Sequence, residues 1–208
     1  MWYRRRYMKN KFFAFMLCAA LAFTPSVGCG EKSQAEKQTS SAVYETDTCF
    51  DIETARKNIS VNGQNIELPM KLSELGEGWN FEIVDTDKEG FACVIIKYKG
   101  DEIFSGTLAE CETGNEENSI LYNLSVNSDK CSVDGFTPDV SVKDDILKKY
   151  GEPVDSEFYE KQNCELWNYG DIKRFKFGTY ILKSRGIVFN IDADGIVKSI
   201  SITYWNYD

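Results

Sequence analysis

The residues that could carry out chemistry in this chain are limited by one omission, since none of its 208 residues is a histidine. Without an imidazole, the Ser-His-Asp and Cys-His arrangements of nucleophilic catalysis are excluded. General acid–base catalysis would then require a pair of carboxylates with apolar neighbours in the sequence, as in a glycosidase. The acidic residues at 110, 112, 116 and 117 lie instead in a polar stretch and are expected to be solvated. The sequence therefore predicts a protein that is not an enzyme, with a glycan hydrolase as the weakest alternative.

The acidic and sulfur-containing residues also lack a metal-binding pattern. The chain contains no CxxC pair, and zinc sites are usually built from closely spaced thiolates and imidazoles. The segment 192–196, Asp-Ala-Asp-Gly-Ile, lacks the third acidic position and the distant glutamate of a calcium loop. It is therefore predicted to be a hairpin turn, and we expect neither a metal nor a cofactor.

Seven cysteines are present, of which Cys18 and Cys29 precede the part of the chain that is expected to fold. The other five form an odd set, so they cannot all pair, and their spacing does not define any disulfide. Cys93 lies in the apolar run 91–96 and is predicted to be a buried thiol. The five candidates are Cys49, Cys93, Cys111, Cys131 and Cys164.

The beginning of the chain has the pattern of an export signal. Five basic residues lie between positions 4 and 11, and the apolar run 12–23 that follows them is too short for an ordinary transmembrane helix. Ser26-Val27-Gly28-Cys29 resembles the lipobox of bacterial lipoproteins, although Ser26 stands where that family prefers leucine. The resemblance implies a signal peptide over residues 1–28 and a lipid on Cys29, which would become the first mature residue.

Three alternatives for this region stay open. The signal could be an ordinary secretory one with an incidental cysteine, in which case the protein would be secreted. Translation could begin at Met8, which would leave Lys9 and Lys11 as the basic head. Arginines 4–6 also loosely resemble a twin-arginine signal, but Tyr3 stands where that pattern expects serine or threonine.

Residues 29–49 are polar and poor in apolar side chains, so they are predicted to be a flexible tether rather than a folded segment. Removal of residues 1–28 would take away five basic residues and no acidic one, so the formal net charge of −9 would become −14. Such a chain is repelled by nucleic acids and by anionic lipid head groups. We therefore expect a domain that a lipid holds on the outer face of the cytoplasmic membrane.

The remaining residues predict strands that are separated by tight turns, with one clear helix. Asn62-Gly63 between two alternating segments indicates a two-residue hairpin. Residues 141–150 have a helical apolar stripe, with Ser141 as the expected N-cap, Asp144 three residues later and Gly151 at the end. The predicted strands include 91–98, 102–108, 120–126, 165–169, 174–180, 186–191 and 196–205.

The final strand alternates between two kinds of residue. Ile200, Ile202 and Tyr204 share one face and are expected to be buried, while the intervening serines and threonine are expected to face water. This pattern indicates an antiparallel sheet with helix packed on one face only. The predicted fold class is therefore α+β, with antiparallel sheets and short helices packed on one face.

A more specific resemblance rests on the helix 144–151, the Gly-Glu-Pro that ends it at 151–153, and the closing pattern Asp194-Gly-x-Val-x-x-Ile200. These motifs resemble the repeat unit of the beta-lactamase-inhibitor-protein-like fold, which small outer-membrane assembly lipoproteins share. Residues 59–79 look like the N-terminal part of lipoproteins from Gram-positive gut bacteria. The resemblance implies two possible tandem helix-plus-sheet units, residues 50–130 and 131–208, and it implies no binding residues.

Aromatic residues near the C-terminus are the only candidates for a binding surface. Trp205 and Tyr207 follow the last predicted strand and are expected to be more exposed than Phe175, Phe177 and Tyr204, which are assigned to the core. The expected partner is a protein or another component of the cell envelope. A non-enzymatic binding or structural module is the favoured function, and an inhibitor or sensor that docks on a secreted enzyme is the alternative.

Overall fold

The computed structural model describes residues 49–87, 90–171 and 185–205. In these ranges, short turns connect most of the strands, and two α-helices and two 3₁₀ turns lie between them. The helices are α1 (Ile52–Ala55) and α2 (Lys143–Tyr150), and the 3₁₀ turns are Leu72–Leu75 and Glu116–Asn118. The strands are β1 (Ile59–Val61), β2 (Gln64–Ile66), β3 (Met70–Lys71), β4 (Trp79–Thr86), β5 (Ala92–Tyr98), β6 (Asp101–Ala109), β7 (Ile120–Val126), β8 (Cys131–Val133), β9 (Asp155–Tyr159), β10 (Cys164–Asp171), β11 (Arg185–Asp192) and β12 (Val197–Tyr204).

Most of these strands form one large antiparallel sheet in the order β4-β5-β6-β7-β12-β11-β10-β9. Strands β4–β7 follow one another along the chain, and so do β9–β12. The last strand of each run pairs with the other, with Ser125 opposite Ser201. Strand β3 pairs with the beginning of β7, at Met70 and Leu121. The sheet is therefore built from two consecutive four-stranded runs that meet along β7 and β12.

A smaller sheet has the order β2-β1-β8. The predicted hairpin between β1 and β2 is confirmed, because Val61 pairs with Gln64 across Asn62 and Gly63. Both turn residues have a positive φ, 50° for Asn62 and 81° for Gly63, which is the backbone conformation that Asn-Gly adopts in tight hairpins.

The main core lies on one face of the large sheet. Buried side chains of its central strands, such as Leu124, Ile187 and Ile202, pack with Ile59 of the small sheet and Ile146 of α2. Five aromatic rings pack together where α2 meets the sheet, with centroids 5.1–6.2 Å apart. Edge-to-face and tilted contacts of this kind stabilise the fold beyond the contribution of burying the apolar surface of each ring. The five are Phe50, Phe136, Tyr150, Tyr169 and Phe189.

Helix α2 begins two residues later than the sequence predicts, so the assignment of Ser141 as its N-cap and of Asp144 as the capping carboxylate was wrong. Val142 occupies the N-cap position, and its N–H donates to Oδ2 of Asp145 at 3.1 Å. The Ser141 hydroxyl instead accepts from the N–H of Thr137 at 2.9 Å and closes the preceding loop. The predicted end is confirmed, since Gly151 follows the last helical residue with φ 77°.

The final strand also departs from its prediction on one face. Ile200 and Ile202 are buried and Tyr204 is half-buried, as expected. The intervening Ser201 and Thr203 are buried too, with 9% and 4% of their surface exposed, so the prediction that they face water was wrong. The hydroxyl of Thr203 forms a hydrogen bond with Asn123 of β7, and the hydroxyl of Ser201 forms one with Ser125 of the same strand. These bonds replace those that water would otherwise make.

The prediction of antiparallel sheets with a few short helices is confirmed for the described residues. The predicted strand 174–180 and the core assignments of Phe175 and Phe177 lie outside the described residues. Neither helix in the described ranges has both the length and the apolar composition needed to cross a membrane.

Candidate functional site

Of the three site residues that the sequence predicts, only Trp205 lies within the described residues. Cys29 and Tyr207 lie outside the described residues. Trp205 is half-buried, and its ring packs on that of Tyr122 with centroids 5.0 Å apart. Together with Phe91 and Ala109 they form a small apolar cluster that is separate from the main core.

The cysteines in the part of the chain that the structure describes show no arrangement that would make one of them a nucleophile. Cys49 is exposed, and Cys131 and Cys164 are buried free thiols whose pKa values are raised by burial. A raised pKa reduces the fraction of reactive thiolate at neutral pH. Cys93 is half-buried and not buried as predicted, because it lies opposite Thr107 on the sheet face that points away from the main core. The described residues contain no group of cysteines and carboxylates that could hold a metal ion.

The face of the large sheet opposite the main core is lined by small polar side chains. Strand register places Ser105, Ser125 and Ser201 in one row across β6, β7 and β12, with Val188 and Asn168 continuing it on β11 and β10. We call this surface the polar face. It is defined by Ser105, Thr107, Asn123, Ser125, Asn168, Asn190, Ser199, Ser201 and Thr203.

Hydrogen bonds connect the polar face across neighbouring strands. The Nδ2 of Asn123 donates to Oγ1 of Thr203 at 2.7 Å and to the carbonyl of Ile202 at 3.3 Å. The hydroxyls of Ser201 and Ser125 are 2.9 Å apart. Ser201 and Thr203 are buried, so accessible hydrogen-bonding capacity remains on half-buried residues of this face such as Ser105 and Ser125.

Two amide oxygens of the polar face have no hydrogen-bond partner. They are the Oδ1 atoms of Asn168 and Asn190, and both atoms are buried. Asn168 is 5% exposed, and its Nδ2 makes only a long contact of 3.4 Å with Asp155. An unsatisfied buried acceptor costs about 1–3 kcal/mol, so each one requires an explanation.

The centre of the polar face carries no charge, although the chain as a whole is strongly acidic. The segments 120–126, 186–190 and 199–204 contain no Asp, Glu, Lys or Arg. Carboxylates near this face are confined to its margins, such as Asp155 on β9 and Asp85 on β4. The polar groups of these three segments are therefore all neutral, and the segments contain no acid or base for catalysis.

Other polar clusters in the described ranges have structural partners. Asp134 accepts hydrogen bonds from Tyr150 Oη at 2.5 Å and Asn58 Nδ2 at 2.9 Å, and it pairs with Lys149 at 2.7 Å. Although burial raises the pKa of Asp134, these hydrogen bonds lower it more, so the net direction is downward. This carboxylate therefore holds α2 against the small sheet and is not available for proton transfer.

A second cluster surrounds Tyr204, whose ring centroid lies close to two guanidinium groups, that of Arg56 at 4.5 Å and that of Arg185 at 4.8 Å. Arg56 also pairs with Glu53 at 2.7 Å and Glu67 at 2.6 Å. The positive charge of Arg56 is thus balanced by these two carboxylates. The cluster connects α1 to the end of β12.

Sequence patterning gave a partial signal for the polar face. The alternation of serine and threonine with isoleucine in residues 199–203 indicates a polar side of the last strand, although it predicts a solvated one. A similar spacing of small polar residues occurs at 105–107, Ser-Gly-Thr, and at 123–125, Asn-Leu-Ser. Only the strand order places these three segments side by side, so the continuous surface could not be inferred from the sequence.

Comparisons with known proteins do not assign this site. No family model matches the chain, and neither a curated protein nor a solved structure shows significant similarity to it.

Proposed function

We propose that this chain is a membrane-anchored extracytoplasmic lipoprotein that acts as a non-enzymatic binding module of the cell envelope. The observation that carries the proposal is the polar face, whose half-buried Ser105 and Ser125 lie on an uncharged part of an acidic protein. The export pattern and the lipobox resemblance at 26–29 support the location. The absence of histidine from the chain supports a binding role over a catalytic one.

The anchoring part of the proposal is tested by metabolic labelling with a palmitate analogue in a bacterial host. The native chain should acquire the label and sediment with membranes, and Cys29→Ser should lose both properties. Cys49→Ser is the matched control, because it removes an exposed cysteine at the other end of the same segment. Unlabelled native protein found entirely in the medium would contradict the anchor.

The binding part is tested by sedimentation of the protein with washed envelope fragments. Ser105→Arg places a long cation at a half-buried position of the polar face and should reduce the bound fraction. Ser132→Arg is the control, since it makes the same change at a half-buried strand position in the small sheet. Equal sedimentation of both variants would argue against the polar face.

For the fold, we propose the beta-lactamase-inhibitor-protein-like arrangement of two tandem helix-plus-sheet units. Its support is the repeated order of elements: Leu72–Leu75 precedes β4–β7, and α2 precedes β9–β12. The two units meet through the last strand of each, as expected for a pseudo-twofold pair. An experimental structure in which residues 70–126 do not superpose on residues 141–204 would contradict the duplication.

A second candidate function, an inhibitor or sensor that docks on a secreted enzyme, is favoured by two exposed apolar side chains. Val154 and Phe158 are 53% and 55% exposed; Val154 immediately precedes β9, and Phe158 lies on it. Aromatic side chains such as that of Phe158 are enriched at the centres of protein interfaces. Inhibition assays against purified secreted hydrolases, with Phe158→Ser as the variant, distinguish this function from the first.

A further inference from the structure

We propose that the outer edge of strand β4 (Trp79–Thr86) binds an extended basic segment of another protein as an additional antiparallel strand. We call this surface the β4 edge. Strand β4 is the first strand in the order of the large sheet, and within the described ranges only β5 pairs with it. An unpaired strand edge is a template for another chain, because its N–H and C=O groups lack a ladder partner. The residues of this edge are not part of the polar face, so the proposal goes beyond the function proposed above.

The β4 edge is the longest open edge in the described ranges. Strand β4 has eight residues, whereas β9 at the other end of the large sheet has five and the outer strands of the small sheet have three each. Proline and lysine commonly protect an edge from pairing, and β4 contains neither. Its pairing with β5 is regular from Trp79 to Ile83 and shifts only after Ile83. Residues 79–83 therefore offer a regular template.

The pairing with β5 fixes which backbone groups of β4 point outward. The N–H of Lys99 donates to the carbonyl of Gly78 at 2.9 Å, so these two opposed residues form a hydrogen-bonded pair. Opposed residues of an antiparallel ladder alternate between hydrogen-bonded and non-hydrogen-bonded pairs. The N–H and C=O groups of Trp79, Phe81 and Ile83 therefore point away from β5 and toward the incoming strand.

The side chains of the same three residues require apolar neighbours in the partner. Trp79, Phe81 and Ile83 are half-buried and pack against the main core, so part of their apolar surface stays open to water at this edge. An added strand with apolar residues opposite them would cover that surface, which favours association. Opposed residues in an antiparallel ladder share a face, so the apolar residues of the partner are those whose N–H groups point to β4.

Charge determines which segment fits the other face of the β4 edge. Residues 77–87 contain four carboxylates and no lysine or arginine. Asn80 and Glu82 are exposed on the face opposite the main core. A partner with basic residues on this face would lie beside these carboxylates. A second copy of the chain would instead bring the same carboxylates opposite one another, and like charges at opposed positions are destabilising. The occupant is therefore a basic segment of another protein.

The proposal is tested by fluorescence anisotropy with the full-length chain in a neutral detergent. The probe is the labelled peptide Val-Lys-Val-Lys-Val-Lys-Val with capped ends, and the same peptide with glutamate in place of lysine is the charge control. We expect saturable binding of the lysine peptide that weakens with added sodium chloride, and no binding of the glutamate peptide. No saturable binding of the lysine peptide, or equal binding of the glutamate peptide, would overturn the proposal.

Backbone methylation distinguishes strand addition from charge attraction alone. N-methyl groups on three valines block the N–H groups that should donate to β4, whereas N-methyl groups on the three lysines block only the opposite edge of the peptide. Both methylated peptides carry the same charge. We expect the valine-methylated peptide to bind at least about tenfold more weakly than the lysine-methylated one, because backbone hydrogen bonds are lost. Equal binding of the two would show that no strand is added.

A variant of the protein locates the site. Asn80→Lys places a cation at an exposed position of the β4 edge and should weaken binding of the lysine peptide about fivefold. Asn65→Lys is the matched control, because it makes the same change at an exposed position of β2, an edge strand of the small sheet. Both variants should keep the native urea midpoint, since both positions are exposed. Unchanged binding in Asn80→Lys, or an equal loss in Asn65→Lys, would contradict the β4 edge as the site.

Discussion

Replacement of Tyr150 by phenylalanine tests how α2 is held against the small sheet. The change removes only the hydroxyl, which donates to the buried carboxylate of Asp134 at 2.5 Å, and it leaves the aromatic packing intact. A hydrogen bond to a charged group contributes about 1.5–3 kcal/mol. Because Lys149 and Asn58 still contact Asp134, we expect a loss of about 2 kcal/mol in the free energy of unfolding.

The loss should depend on pH in a defined direction. The pKa of Asp134 in the folded state lies below its ordinary value of 3.8, since the hydrogen bonds and Lys149 outweigh the effect of burial. A depressed pKa contributes stability that is complete above the unfolded value and is lost as pH falls through the folded value. The difference between the native chain and Tyr150→Phe should therefore be largest near neutral pH and shrink below about pH 4.

The assay is urea unfolding followed by tryptophan fluorescence at several pH values. A loss of 2 kcal/mol corresponds to a midpoint shift of about 1 M urea for a domain of this size. Tyr169→Phe is the matched control, because its hydroxyl donates to the neutral carbonyl of Gly151 at 2.8 Å and should cost about 1 kcal/mol. Equal losses in the two variants, or a loss that grows in acid, would refute the reasoning.

Three further predictions concern turns, sheet packing and thiols. Gly63→Ala should lower stability by about 1 kcal/mol in urea unfolding, through its positive φ alone, since no atom lies within 4 Å of the added Cβ. Gly106→Ala should cost about 2 kcal/mol or more, because its Cβ would lie 2.6 Å from the carbonyl oxygen of Asn123; a loss no greater than that of Gly63→Ala would contradict the β6–β7 geometry. A thiol reagent should modify exposed Cys49 within the folded protein and buried Cys131 only upon unfolding, and mass spectrometry showing equal rates would contradict their burial.

Local turn chemistry made much of the fold predictable. Asn62-Gly63, the Asp192–Gly195 turn and the stop at Gly151 all lie where the sequence places them, because each depends on one or two residues with special backbone preferences. The strand 120–126 was predicted with its observed bounds, since its apolar run is flanked by polar residues.

The edge strands could not be predicted in the same way. In β4, apolar residues such as Phe81 and Ile83 alternate with acidic ones, and β9 (Asp155–Tyr159) has mostly exposed side chains. Such segments become strands because a neighbour supplies the hydrogen bonds, and that information is not local. The same limit applies to the polar face, whose residues come from strands up to about 100 positions apart in the chain.

The pairing of β7 with β12 also affects how the chain reaches its native state. Strand β7 ends at Val126, whereas its partner begins at Val197, so this contact closes a long loop and belongs to the slow class of folding events. As the polypeptide is synthesised from its N-terminus, part of one side of β7 has no neighbour until the last strand is complete. A chaperone that shields this transient edge would therefore raise the yield of folded protein, and a chain truncated before β12 would aggregate.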